Sequence, residues 1–185
     1  MAILLIGATP SKGFKPWKVA GYDESSSAPH VDFECTIAPG KNGPDPHIHP
    51  LQTETFHVTG GQMKAVVNGE EKELQTGETI VIEPGQVHSF SNASLDEPLN
   101  LKIRIEPALN FQWYMMEAAT SAIRNGSRWK DAPLLEICYI LNQVVDEHDF
   151  PRLPAPVKRV IVGVMARLAV LLKKTSNITS LHIEK

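Results

Sequence analysis

The sequence predicts a mainly β protein, a sandwich or barrel of short antiparallel strands followed by a helical C-terminal region. Three observations carry that prediction. Segments with period-two alternation recur up to Ile105, separated by turns rich in glycine, proline and asparagine. Beyond Pro107 the alternation stops and stretches with helical spacing replace it. A chain of 185 residues can also bury a proper core, and it reads most simply as one domain with an appendage.

The first residues, MAILLIGA, are apolar, but no basic segment precedes them and the run is short for a secretory signal, so a strand or ordered arm is expected. GATPSKG at residues 7–13 is no phosphate loop, since its lysine precedes the second glycine and no GK[ST] follows. Residues 12–22, with Trp17 and Val19, form a short strand-like piece, and SSSAP marks a loop. Val31, Phe33, Cys35 and Ile37 then alternate with polar neighbours, which is the pattern of a half-buried strand. APGKNGPDP cannot be regular structure and delivers the chain into His47. Asn68-Gly69, between two strand-like runs, is a strong hairpin signal. Residues 79–82 are another strand, and Leu99, Leu101, Ile103 and Ile105 alternate in the last clear one.

Residues 108–124 are rich in Met, Ala and Gln and stop at Asn125-Gly126, a good helix end. Asp131 offers an N-cap, with Pro133 just inside, for a second helix over residues 134–145. The third helix, over residues 157–174, is sharply amphipathic. Val157, Val160, Ile161, Val164, Met165, Leu168, Leu171 and Leu172 share one face, and Lys158, Arg159, Arg167, Lys173 and Lys174 the other. Packing of the apolar face on the other helices, the barrel or a second subunit is the favoured reading, and contact of the basic helix with a membrane surface is the minor one. Arg167 interrupts any span. Residues 175–185 have few packing signals and are expected to be a mobile tail.

Chemistry is concentrated in HIHPLQTETFHVTGG, residues 47–61. In extended chain, side chains two apart share a face, so His47 and His49 reach into one space and can grip a metal ion. Glu54 adds a carboxylate, and His88, in GETIVIEPGQVHSFSN, adds a third imidazole. This mixed set of nitrogen and oxygen suits a borderline divalent transition metal. Phe56 shares the parity of Glu54, and Phe90 that of His88, so both are candidate walls of the cavity and candidate substrate contacts. His57 has the opposite parity and stays outside the site.

These residues resemble the two motifs of the cupins, G-x5-H-x-H-x(3,4)-E-x6-G and G-x5-P-x-G-x2-H-x3-N. His47, His49, Glu54 and Gly61 fall on the first in register, and Gly77, Gly85, His88 and Asn92 on the second. Lys41 stands at the leading glycine of the first motif with Gly40 beside it, and Glu83 stands at the proline of the second with Pro84 following. Both departures concern turns and leave the four ligand positions intact. The resemblance covers about residues 30–107 and implies a jelly-roll barrel. The expected organisation is an arm over 1–30, the barrel over 31–107, helices packed on the barrel or a dimer partner over 108–174, and the tail beyond.

The resemblance further implies one divalent ion (iron, manganese, nickel, cobalt or zinc) on His47, His49, Glu54 and His88, with open positions for a small molecule. An oxygenase-type enzyme acting on an enol, catechol or flavonol-like chelator is the first functional expectation, with Glu54 as a candidate base. A non-catalytic binding or sensing module is the alternative, as are an isomerase and a decarboxylase, because the ligand set does not select the reaction. A formal net charge of −3 shows no footprint for nucleic acid. Cys35 and Cys138 lie far apart without metal or disulfide spacing, which points to reduced thiols and a cytoplasmic location. A homodimer is expected, since such barrels often pair and the last helix needs a partner.

Overall fold

The computed structural model describes residues 5–6, 17–23, 29–125, 132–151 and 154–178. Among the described residues nine strands and three helices follow in order, strands first. Strands β1 (Leu5–Ile6), β2 (Trp17–Asp23), β3 (His30–Ile37), β4 (Thr53–Gly60), β7 (Thr79–Ile82) and β9 (Leu99–Glu106) make an antiparallel sheet in the order β1-β2-β3-β9-β4-β7. Strands β5 (Gln62–Val67), β6 (Glu70–Gln75) and β8 (His88–Asn92) make a second, in the order β6-β5-β8. The expected jelly-roll arrangement of antiparallel sheets is present. The P-loop-like piece, the SSSAP loop except Pro29, and Asp131 lie outside the described residues.

Alternation dictates which face is buried. Val31, Phe33, Cys35 and Ile37 of β3 face inward and pair across β9 with Ile105, Ile103, Leu101 and Leu99. Phe56 and Val58 of β4 join them, with Met63, Ala65 and Phe90 from the second sheet. The β5–β6 hairpin turns on Asn68 and Gly69, whose φ values of 50° and 86° are those of the turn that matches strand twist. Gly61 is required by space, since a Cβ there would lie 2.4 Å from the carbonyl oxygen of Pro98. Gly40 takes φ 62°, so the turn before the ligand loop uses this glycine one position early.

Helix α1 (Phe111–Arg124) begins later than the expected 108 and ends as expected, where the Asn125 side chain donates to the carbonyl of Ser121 at 2.7 Å. Helix α2 (Leu134–Gln143) starts after Pro133, which occupies the cap position with no side-chain cap, and stops short of the expected 145. Buried Glu136 ties it to α1 by accepting from Ser121 at 2.5 Å and Arg124 at 3.2 Å.

Helix α3 (Ala155–Leu171) differs from the sequence reading in where it ends and in the face it lays on α2. It stops before 174 because Lys173 takes the left-handed conformation, φ 54°, and Lys174 N–H reaches the carbonyl of Ala169 at 2.8 Å. Its packing face is also different. Ala166 and Ala169 are the buried residues and Gly163 approaches Asn142, so α3 lies on α2 through small side chains. Among the described residues the expected apolar face is largely unpacked: Val157, Val160, Ile161, Val164, Leu168, Leu171 and Leu172 are exposed, Leu171 by 77%. The start of the expected tail is tied down, with Ile178 packed against the core and Asn177 accepting from Arg124 at 3.0 Å. No helix among the described residues is long and apolar enough to cross a membrane.

Candidate metal centre

The ligand segment is held from both sides. His47 pairs with His88 at the start of β8, each N–H donating to the other's carbonyl at 3.0 Å. On the other side Ile48 pairs with Asp149, through hydrogen bonds of 2.8 and 2.9 Å. Gly85 N–H donates to the carbonyl of His49 at 2.9 Å, so the turn before His88 is fastened to the first pair of imidazoles. Glu54 comes from β4, one step from Phe56 by strand parity.

The four side chains meet. One ligand atom from each of His47, His49, Glu54 and His88 lies within 4.8 Å of all the others, and all four residues are buried. The tautomers follow from the backbone. Nδ1 of His47 lies 2.9 Å from the carbonyl of Asp45, and Nδ1 of His88 lies 3.0 Å from that of Gln86. A carbonyl only accepts, so both Nδ1 atoms carry hydrogen and Nε2 is the atom each ring turns to the cluster.

The electrostatics of the four side chains are coupled. Nε2 of His88 is 2.6 Å from Oε2 of Glu54, and Nε2 of His49 is 3.5 Å from the same oxygen. A lone pair and a carboxylate cannot face each other at 2.6 Å, so Nε2 of His88 carries a proton that it donates to Glu54 and that an incoming cation would displace. Burial pushes the His88 imidazolium down, but the hydrogen bond and charge of Glu54 outweigh it and raise His88 above its ordinary value. Burial pushes Glu54 up, and the hydrogen bond from His88 with the other imidazoles brings it net below. Burial, stronger than the pull of Glu54, takes His47 down to about 4 and lowers His49. Neither ring nitrogen of His49 has a hydrogen-bond partner of good geometry among the described residues, although the Glu147 backbone and Gln52 stand near enough to pull its pKa up slightly against burial. Orphaned buried nitrogens around a buried carboxylate fit a divalent cation.

Sequence reasoning did not find the cover over this cluster. His148, just beyond α2, has its ring centroid 5.2 Å from those of His47 and His49, 4.9 Å from Tyr114 and 4.9 Å from Phe150. Phe111 of α1 meets His49 edge-on at 5.3 Å. Gln52, fully buried, donates to the carbonyls of Pro107 and Ala108 at 3.1 and 3.2 Å and so seats the start of α1 beside the site. Phe56 and Phe90 are packed in the core, 5.0 Å apart, with Phe56 also 6.4 Å from His88; they support the ligand more than they line an open cavity. His57 lies outside the cluster and bonds Thr79 at 2.9 Å. Asn92 is no ligand: it donates to the carbonyls of Ile37 and Glu97 and holds the turn after β8.

Residues 33–102 match the family model described as Cupin domain. These residues form a cupin domain. No curated protein matches the chain. Solved structures similar to it include a sugar phosphate isomerase from a cupin superfamily from Silicibacter pomeroyi, at 22% identity and TM-score 0.39, covering 41% of this chain and 49% of that one. The chain thus spans about half the length of that isomerase. An uncharacterized conserved protein with a double-stranded β-helix domain from Klebsiella pneumoniae is 26% identical with TM-score 0.46, over 54% of this chain and 83% of that one. A nucleoside dehydratase from Streptomyces is 17% identical with TM-score 0.44, over 54% and 74%. In the cupin domain of this chain the four buried residues can hold a metal ion.

Proposed function

We propose that His47, His49, Glu54 and His88 hold one divalent transition metal ion and that the chain is a metal-dependent oxygenase-type enzyme acting on a small chelating molecule with an enol or catechol-like group. The convergence of three imidazoles and one carboxylate in a buried space supports this reading. The bound ion would supply Lewis-acid polarisation or a path for electrons. The chain's own part is orientation and exclusion of water. Backbone carbonyls fix the rings of His47 and His88, and Phe111 and Tyr114 cover the site with apolar surface. We assign Glu54 the role of base for the proton of an incoming hydroxyl group; its imidazole neighbours keep the carboxylate ionised, and the bound ion would have to acidify that hydroxyl for the transfer to occur.

A second reading, a binding or sensing module without turnover, is favoured by the same cover, which joins the helical region to the ligand segment through the Ile48–Asp149 pairing. Oxygen consumption by the metal-loaded protein with a panel of enols and catechols separates the two. Turnover with at least one member is expected; tight binding of those molecules without product would select the binding module. The proposal places the protein in the cytoplasm as a homodimer, and the exposed apolar face of α3 supports the pairing.

A further inference from the structure

The pairing of Ile48 with Asp149 does more than fasten the helical region to the barrel. In an antiparallel pairing the neighbours of the two opposed residues share faces, so His148 lies opposite His49, and Phe150 opposite His47, on the face that carries the ligands. The ring positions agree: His148 is as far from His47 and His49, at 5.2 Å each, as those two are from each other, at 5.0 Å.

Both sides of His148 are anchored. Glu147 accepts from the backbone N–H of Asn110 at 2.9 Å and from its side chain at 2.5 Å. Asp149 is held by Ile48 and by Lys158. The imidazole between them is therefore placed by the fold. Its Nδ1 is buried with no hydrogen-bond partner among the described residues. Yet His148 is not one of the four residues whose ligand atoms lie mutually within 4.8 Å. A buried polar atom that stands beside this cluster without joining it is suited to contact what the cluster binds, since a buried donor left unpaired is destabilising.

We propose that His148 is a substrate-contacting residue of this centre, donating a hydrogen bond to the donor atom of a small anionic or oxygen-bearing ligand that occupies an open position of the ion. The inference rests on the metal reading above. The helical region would then complete the site, giving the cupin domain a recognition residue from outside residues 33–102.

The test uses the full chain loaded with Co2+ as a spectroscopic probe and titrated with azide, for wild type and His148→Phe, which keeps a ring for packing and removes both nitrogens. His148→Gln, which keeps a donor in a smaller side chain, is measured beside it. All three are expected to bind one Co2+ per chain. Azide binding, read from the visible spectrum, is expected to weaken at least tenfold in His148→Phe and to recover most of that loss in His148→Gln. Equal azide affinity in wild type and both variants, with Co2+ retained, overturns this inference alone. Loss of Co2+ from the variants also overturns it, by making His148 a ligand of the ion itself. A wild-type chain that takes up no Co2+ overturns the metal reading and this inference together.

Discussion

Glu54 and His88 show most directly what the centre needs. Their contact of 2.6 Å, with Nδ1 of His88 already bound to a carbonyl, requires a proton on Nε2, which a metal ion would replace on binding. The remaining imidazoles are arranged in the opposite sense. Burial holds His47, His49 and His148 below their ordinary value, whereas Glu54 keeps His88 above it. As pH falls from 6.5 toward the value of about 4 reached by His47, the unfolded metal-free chain takes up protons at the three lowered imidazoles that the folded chain refuses. His88 does not offset this fall, because its stabilisation is already full below its unfolded value and is lost only as pH rises through its raised one. The metal-free protein is expected to lose stability between pH 6.5 and 4, seen as a falling thermal midpoint, and His47→Gln should flatten that fall. A level or rising midpoint in the wild type would contradict the neutral state assigned to these rings.

The strands were legible at the level of elements because each is half-buried, and burial of one face writes a period of two directly into the residues. Val31 to Ile37 and Leu99 to Ile105 are the plain cases. The four residues that converge at the centre were legible for the same reason: two of them share a strand-like parity and all fall in register with two motifs. The helices were less so. Hydrophobicity ranks valine, leucine and isoleucine above alanine and glycine, so it named the wide apolar face of α3, while the close approach to α2 selected Ala166, Ala169 and Gly163. The end of α3 was misjudged because a lysine occupies the left-handed position that glycine usually takes. His148 had no local signal. Its place depends on the pairing of Ile48 with Asp149, residues far apart in the chain that no periodicity connects.

For the whole molecule, α3 leaves an apolar strip between the helical region and solvent, and a second copy of the chain is the proposed cover. Light scattering on the eluting protein should give twice the mass of one chain, and Val164→Lys with Leu171→Lys should return it to one. A wild-type monomer would remove the dimer from the account without touching the metal centre. The centre itself is tested most directly by elemental analysis of protein purified without affinity-tag nickel, wild type beside His88→Ala. The account predicts about one transition metal ion per chain in the wild type, on a four-residue site, and a strong loss in the variant. Wild-type protein that holds little metal and takes up none on reconstitution would contradict it.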